Sequence, residues 1–164
     1  MRITLEDRLF DLLDEVNNCD AVTYFNAKEQ LSEDVVLGIC DSHRLYGTKY
    51  PSEHYVLNMF LIKRDERYVA VVLENEAHLY MYLDESYQNK GVLHRALSKN
   101  ILPYLIGAVG RKRAFKVRYS DIELFQFKEE YLKMLKLIGF EEDTEKDKDW
   151  FRLEQFNMDK ELTN

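Results

Sequence analysis

An α/β (α+β) sandwich around a mixed, mostly antiparallel sheet is the architecture this sequence predicts, and three observations predict it. Three strand-like runs follow one another between residues 54 and 83 with very short polar connections, and such connections favour an antiparallel meander. Stretches of helical spacing stand before and after the meander. Late in the chain, helical and strand-like segments alternate, which calls for layers of helix against sheet rather than an all-β barrel.

The elements follow in order. From Thr4 to about Val16, Leu5, Leu9, Leu12, Leu13 and Val16 share one helical face, and Asp7 places an acid in the first turn. AVTYF (21–25) is strand-like. SEDVVLGICDSH (32–43) has helical spacing through Val35, Val36, Ile39, Cys40 and His43, with Ser32 as its cap, and RLYGTKYPSE (44–53) reads as a loop. The meander comprises HYVLNMFLIK (54–63), YVAVVLE (68–74) and HLYMYL (78–83), joined by RDER (64–67) and NEA (75–77). From Gly91 the period changes to a helical stripe of Leu93, Ala96, Leu97, Ile101 and Tyr104, which Pro103 is expected to kink or end. GAVGRKR (107–113) is a turn and AFKVRY (114–119) a strand. SDIE (120–123), with Ser120 as cap, opens a helix through Leu124, Phe127, Tyr131, Leu135 and Ile138 that Gly139 closes. The charged EEDTEKDKD (141–149) is a loop before a last strand, WFRLEQF (150–156), and the tail from Asn157 is polar.

The 164 residues, 46% of them hydrophobic and 13% aromatic, suit one domain with one core. Two prolines and six glycines offer no place to divide the chain. The formal net charge of -7 argues against binding to nucleic acid or to an anionic membrane surface. Cys19 and Cys40 form no CxxC pair, and no run reaches the roughly 18 apolar residues of a membrane span. The expectation is a cytoplasmic protein, monomeric or homodimeric. His43, His54, His78 and His94 show neither HxH nor HExxH spacing, so no metal site is expected. Cys40 and His43 are read as core residues rather than a thiol–imidazole pair. The run RKRAFKVR (111–118) is either a turn followed by the solvent face of a strand or a basic contact for RNA or a phosphate.

The junction YLDESYQNKGVLHRAL (82–97) bears most on function. It is either an ordinary strand-to-helix turn or a cradle for an anion. A helix opening at Val92 exposes unpaired N–H groups and the positive end of its dipole. A glycine at 91 lets an anion come close, and Gln88, Lys90, His94 and Arg95 supply donors around it.

In its order of motifs the chain resembles the GNAT (Gcn5-related N-acetyltransferase) superfamily. YLDESYQNKGVL (82–93) is similar to the [RQ]-x-x-G-x-[GA] acetyl-CoA pyrophosphate loop, YLKMLKLIGFEED (131–143) to the last helix with its Gly-Phe ending, and DWFRLEQF (149–156) to the closing strand. The resemblance covers roughly residues 54–156, the expected coenzyme-binding core of a single domain. Residues 1–53 would then form the acceptor side. It implies a sheet splayed into a V between strands 78–83 and 114–119. It also implies acetyl-CoA as cosubstrate and a small-molecule or peptide amine as acceptor. Position by position, Gln88, Asn89, Lys90, Gly91, Val92 and Leu93 would hold the pyrophosphate, with Arg95 nearby. Main-chain groups of Tyr82 and Leu83 would pair with the pantetheine arm as a strand does. The base position falls at Ala77, flanked by Glu76 and His78. The position of the family's acidic tyrosine is Leu135, with Tyr131 one turn earlier on the same face. The small residue after the glycine is replaced by Leu93, and the family's helix-start asparagine by Lys128. The implied activity is acetyl transfer to an amine by direct attack. A fold that binds CoA or a partner without catalysis is the alternative, and a nucleic-acid module using 111–118 is a third.

Overall fold

The structure, a computed structural model, describes residues 5–18, 26–41, 56–88, 90–122, 125, 127–143 and 149–156. The strand expected at 21–25, the loop at 44–53, Cys19, His43, His54, Asn89 and the tail from Asn157 lie outside them. The chain forms two compact units, residues 1–75 with 80–84, and residues 76–79 with 85–164. The described strands hydrogen-bond in the order β1-β2-β3-β4-β5-β6-β8-β7, so the fold is mixed α/β on a mostly antiparallel sheet, as expected.

The first unit holds helix α1 (Leu5–Asn18) and strands β1 (Asn26–Gln30), β2 (Val35–Asp41), β3 (Val56–Arg64) and β4 (Arg67–Asn75), with residues 80–83 of β5 (His78–Leu83). The leucine stripe of α1 works as its spacing requires. Leu9, Leu12 and Leu13 are buried in one core with Val36, Cys40, Leu57, Met59, Leu61, Val71, Leu73, Tyr80 and Tyr82. The C-terminal end of α1 is pinned by a side chain that imitates a peptide group. The Asn17 amide donates to the Tyr68 carbonyl and accepts from the Tyr68 N–H, both at 2.8 Å.

Of the segment 32–43, the described residues 32–41 are not helical. Val35–Asp41 is a strand, paired antiparallel with β1 on one side and with β3 on the other. A strand between two others, with residues of both faces buried, needs no apolar–polar alternation. The buried positions 35–38 and 40 therefore gave helical spacing by coincidence. The β-branched Val35, Val36 and Ile39, with Gly38 among them, fit the strand better than a helix. Ser32 is no helix cap. Its hydroxyl accepts from the N–H groups of Asp34 and Val35, both at 3.2 Å, and so shapes the β1–β2 turn.

The meander is as read. β3 and β4 pair from Asn58 opposite Glu74 to Arg64 opposite Arg67. Its two turns place Asp65 and Glu66, then Glu76 and Ala77, at positive φ (51°, 64°, 46° and 76°), as hairpin turns that follow the twist of their strands require.

The second unit holds helices α2 (Val92–Ala96), α3 (Leu102–Gly107), α4 (Tyr119–Ile122) and α5 (Lys128–Ile138), strands β6 (Phe115–Arg118), β7 (Glu141–Glu142) and β8 (Trp150–Leu153), and residues 78–79 of β5. Pro103 does not end its helix. Residues Leu97–Ile101 join α2 to α3 as a π-helical stretch, with right-handed helical backbone at Ala96, Ile101 and Leu102. Proline lacks an N–H and crowds the carbonyl four residues back, and the wider turn just before it makes room.

The single helix expected from Ser120 is two. Ser120 is a donor rather than a cap: its N–H and hydroxyl each donate to the Asp149 carboxylate at 2.9 Å. Gly139 closes α5 at φ 121°, as expected, with the N–H groups of Gly139 and Phe140 both reaching the Leu135 carbonyl. Part of the expected loop 141–149 is β7, paired with β8 through Glu141 opposite Arg152 and Glu142 opposite Phe151.

Candidate functional site

The loop after β5 opens with a short 3₁₀ turn, Glu85–Tyr87, closed by the Gln88 N–H on the Glu85 carbonyl at 3.3 Å. Lys90 is exposed, with its ammonium 5.2 Å from the centre of the Tyr87 ring, a cation–π contact. Gly91 then takes a left-handed conformation, φ 69° and ψ 18°, as the residue that starts α2. A methyl group added at Gly91 would meet no atom within 4 Å apart from its chain neighbours, so the space on the side where a Cβ would stand is open. Val92 and Leu93 turn the other way and are 2% and 3% exposed, packed as core. Leu93 thus keeps its bulk out of the space before the helix. Its N–H, with those of Val92 and His94, belongs to the first turn, whose donors the helix's own ladder does not use. The ladder begins with the Arg95 N–H on the Gly91 carbonyl at 3.0 Å. The Arg95 side chain is exposed, and that of His94 is half-buried.

In the first unit, Tyr82 and Leu83 end β5 and are 9% and 7% exposed. The Tyr82 ring meets Phe10 of α1 edge-on at 6.1 Å.

The residues weighed as proton carriers differ sharply in setting. Glu76 sits on the β4–β5 turn with its side chain 73% exposed, 3.6 Å from Arg113. Tyr131 is 4% exposed and packs edge-to-face on Phe125 at 5.0 Å. Leu135 is 1% exposed. His78, the first residue of β5, is partly buried, and its Nε2 lies 3.2 Å from Asp121 Oδ2. Its ring also meets Trp150 edge-on at 5.1 Å.

Three strands and one helical turn bring this second group together. β5 and β6 are parallel, registered with His78 opposite Lys116, and the Lys116 N–H donates to the Ala77 carbonyl at 2.9 Å. β6 and β8 are antiparallel, with Arg118 opposite Trp150. The Trp150 ring receives the Arg118 guanidinium at 4.6 Å and the Lys116 ammonium at 5.7 Å. α4, directly after β6, supplies Asp121. By sequence pattern alone Asp121 falls in a helix start and Trp150 in an ordinary strand. They meet His78 through the parallel pairing of β5 with β6 and the antiparallel pairing of β6 with β8, and Asp121 stands 43 residues from His78 in the chain.

No family model and no curated protein matches the sequence. Among solved structures, the chain is similar to a ribosomal-protein-S5-alanine acetyltransferase from Vibrio fischeri at 16% identity, over 87% of this chain and 79% of that one, with a TM-score of 0.45.

Among the described residues no three His, Cys, Asp or Glu side chains gather as metal ligands, and no helix is long and apolar enough to cross a membrane. Of the basic run 111–118, Lys116 and Arg118 lie over Trp150 and Arg113 lies beside Glu76.

Proposed function

We propose that the chain is an acetyl-CoA-dependent N-acetyltransferase of GNAT type, with the coenzyme pyrophosphate held at the start of α2. The observation that carries this is Gly91. Its left-handed backbone and the open space at its side stand next to first-turn N–H groups that the helix's own ladder does not use, the donors an anion takes at a helix start. The parallel β5–β6 pair and the Gly-Phe ending of α5 support the same reading. In it, Lys90 and Arg95 stand at the phosphates. A small-molecule or peptide amine attacks the thioester carbonyl directly. His78 is the preferred proton acceptor, because Glu76 is a solvated turn acid and Tyr131 is packed.

Acetyl-CoA at one hundred times its Kd is expected to stabilise the protein by about 2.7 kcal/mol. For a chain of this length that raises the Tm by roughly 5–10 °C. No shift at millimolar acetyl-CoA would remove the proposal. Gly91→Glu, which places bulk and negative charge in the open space, is expected to weaken acetyl-CoA at least about tenfold, because the helix start then repels the anion it should attract. Unchanged affinity would remove the pyrophosphate assignment.

The buried Tyr131 and Leu135 favour a second reading, a protein that binds CoA without transferring the acetyl group. Acetylation of any member of a broad panel of primary amines would exclude it.

A further inference from the structure

Tyr131, Met134, Leu135 and Ile138 give α5 its buried face. The neighbouring face, with Glu129, Leu132, Lys133 and Lys136, borders a groove of about 520 Å³ whose lining is completed by Tyr119, Glu142 and Phe151. That volume falls within the range of small-molecule sites. The groove shares no residue with the Gly91 loop or with the group around His78. Phe151 stands opposite Glu142 in the β7–β8 register, and its ring meets that of Tyr119 at 6.3 Å, tilted by 50°. With Leu132, these two rings offer an apolar surface on which another ring can pack.

The charges around this surface are not used by the fold. Glu129 stands four residues before Lys133, the order and spacing that favour an ion pair on a helix. Among the described residues, no ion pair engages Glu129, Lys133, Lys136 or Glu142. Lys133 and Lys136 are three residues apart on one helix face, so their charges repel. A carboxylate set between them offsets that repulsion and accepts from both ammonium groups. A doubly charged anion such as phosphate is a poorer occupant, because Glu129 and Glu142 border the same groove. An ammonium at Glu142, on the strand across from the helix, completes the balance. Two bases and two acids call for a ligand of both signs, and the rings between them call for a third.

We propose that the groove between α5 and β7–β8 is a binding site for a free α-amino acid with an aromatic side chain. Its carboxylate lies between Lys133 and Lys136, its ammonium at Glu142, and its ring against Phe151 and Tyr119. The site does not depend on the acetyl-CoA reading.

The test is calorimetry on the full chain with four probes. L-phenylalanine carries all three features, 3-phenylpropionate lacks the ammonium, phenethylamine lacks the carboxylate, and L-alanine lacks the ring. L-phenylalanine is expected to bind one to one with a Kd of about 1 mM or below. Each of the other three is expected to bind at least roughly tenfold more weakly, the worth of one charge-assisted hydrogen bond or one packed ring. Lys133→Gln and Lys136→Gln are each expected to weaken phenylalanine and 3-phenylpropionate and to leave phenethylamine unchanged. Glu142→Gln is expected to weaken phenylalanine and phenethylamine and to leave 3-phenylpropionate unchanged. Tyr119→Leu is expected to reduce the preference for phenylalanine over alanine. All four substitutions are at positions where a solvated groove tolerates change, and the Tm of each variant checks its fold. No binding of phenylalanine, equal binding of the four probes, or affinities that ignore the lysine and glutamate substitutions in folded variants overturns the proposal. Competitive displacement of phenylalanine by coenzyme A also overturns it, since the groove would then belong to the coenzyme site.

Discussion

Gly91 is needed for its backbone angle and not for its size. Its φ of 69° suits glycine, while nothing stands where a side chain would go. Gly91→Ala therefore carries strain without a clash. The expected cost is about 1 kcal/mol of stability, read from the urea midpoint, the usual penalty for an L-residue in the left-handed region. A loss several times larger would mean that the space is filled. The glycine and its neighbours could be read from the sequence, because one residue type at a strand-to-helix junction carries its own meaning. The direction of Leu93 could not. The sequence places a bulky residue where the GNAT motif has a small one, and only the helix phase shows that it points into the core. His78 shows the same limit: its position near a base was legible, but its partner was not, since Asp121 comes from an element 43 residues away.

At the scale of elements, α1 is fastened at its C-terminal end by one side chain. Asn17 makes two hydrogen bonds to the same residue of β4. Asn17→Ala leaves the N–H and carbonyl of Tyr68 without them, in a partly buried place, and is expected to cost about 1–3 kcal/mol. Equilibrium unfolding of that variant, with α1 followed by hydrogen exchange, checks it; an unchanged stability would mean that water replaces the amide fully. The elements that the sequence announced best were those with one buried face or short connections: the leucine stripe of α1 and the β3–β4–β5 meander. β2 failed because it is buried on both faces, which erases the period of two. The helix at 120–138 failed because Ser120, which has the chemistry of a cap, was drawn to Asp149, a residue 29 positions on.

For the whole molecule, the excess of 30 acids over 23 bases gives a net charge of -7 and a pI near 5.2. Solubility is expected to fall to its minimum near that pH, measured as turbidity across a pH series, because self-repulsion vanishes there. A minimum well away from pH 5.2 would mean that patches rather than net charge govern association. The two hairpin turns carry a different consequence. Asp65, Glu66, Glu76 and Ala77 are all residues of one hand held in the backbone region that suits the other hand. In chemical synthesis, the mirror-image amino acid at the solvent-facing Asp65 or Glu66 would find its backbone already in a favoured well. The chain thus has places where reversing the chirality of a residue should strengthen the fold rather than break it.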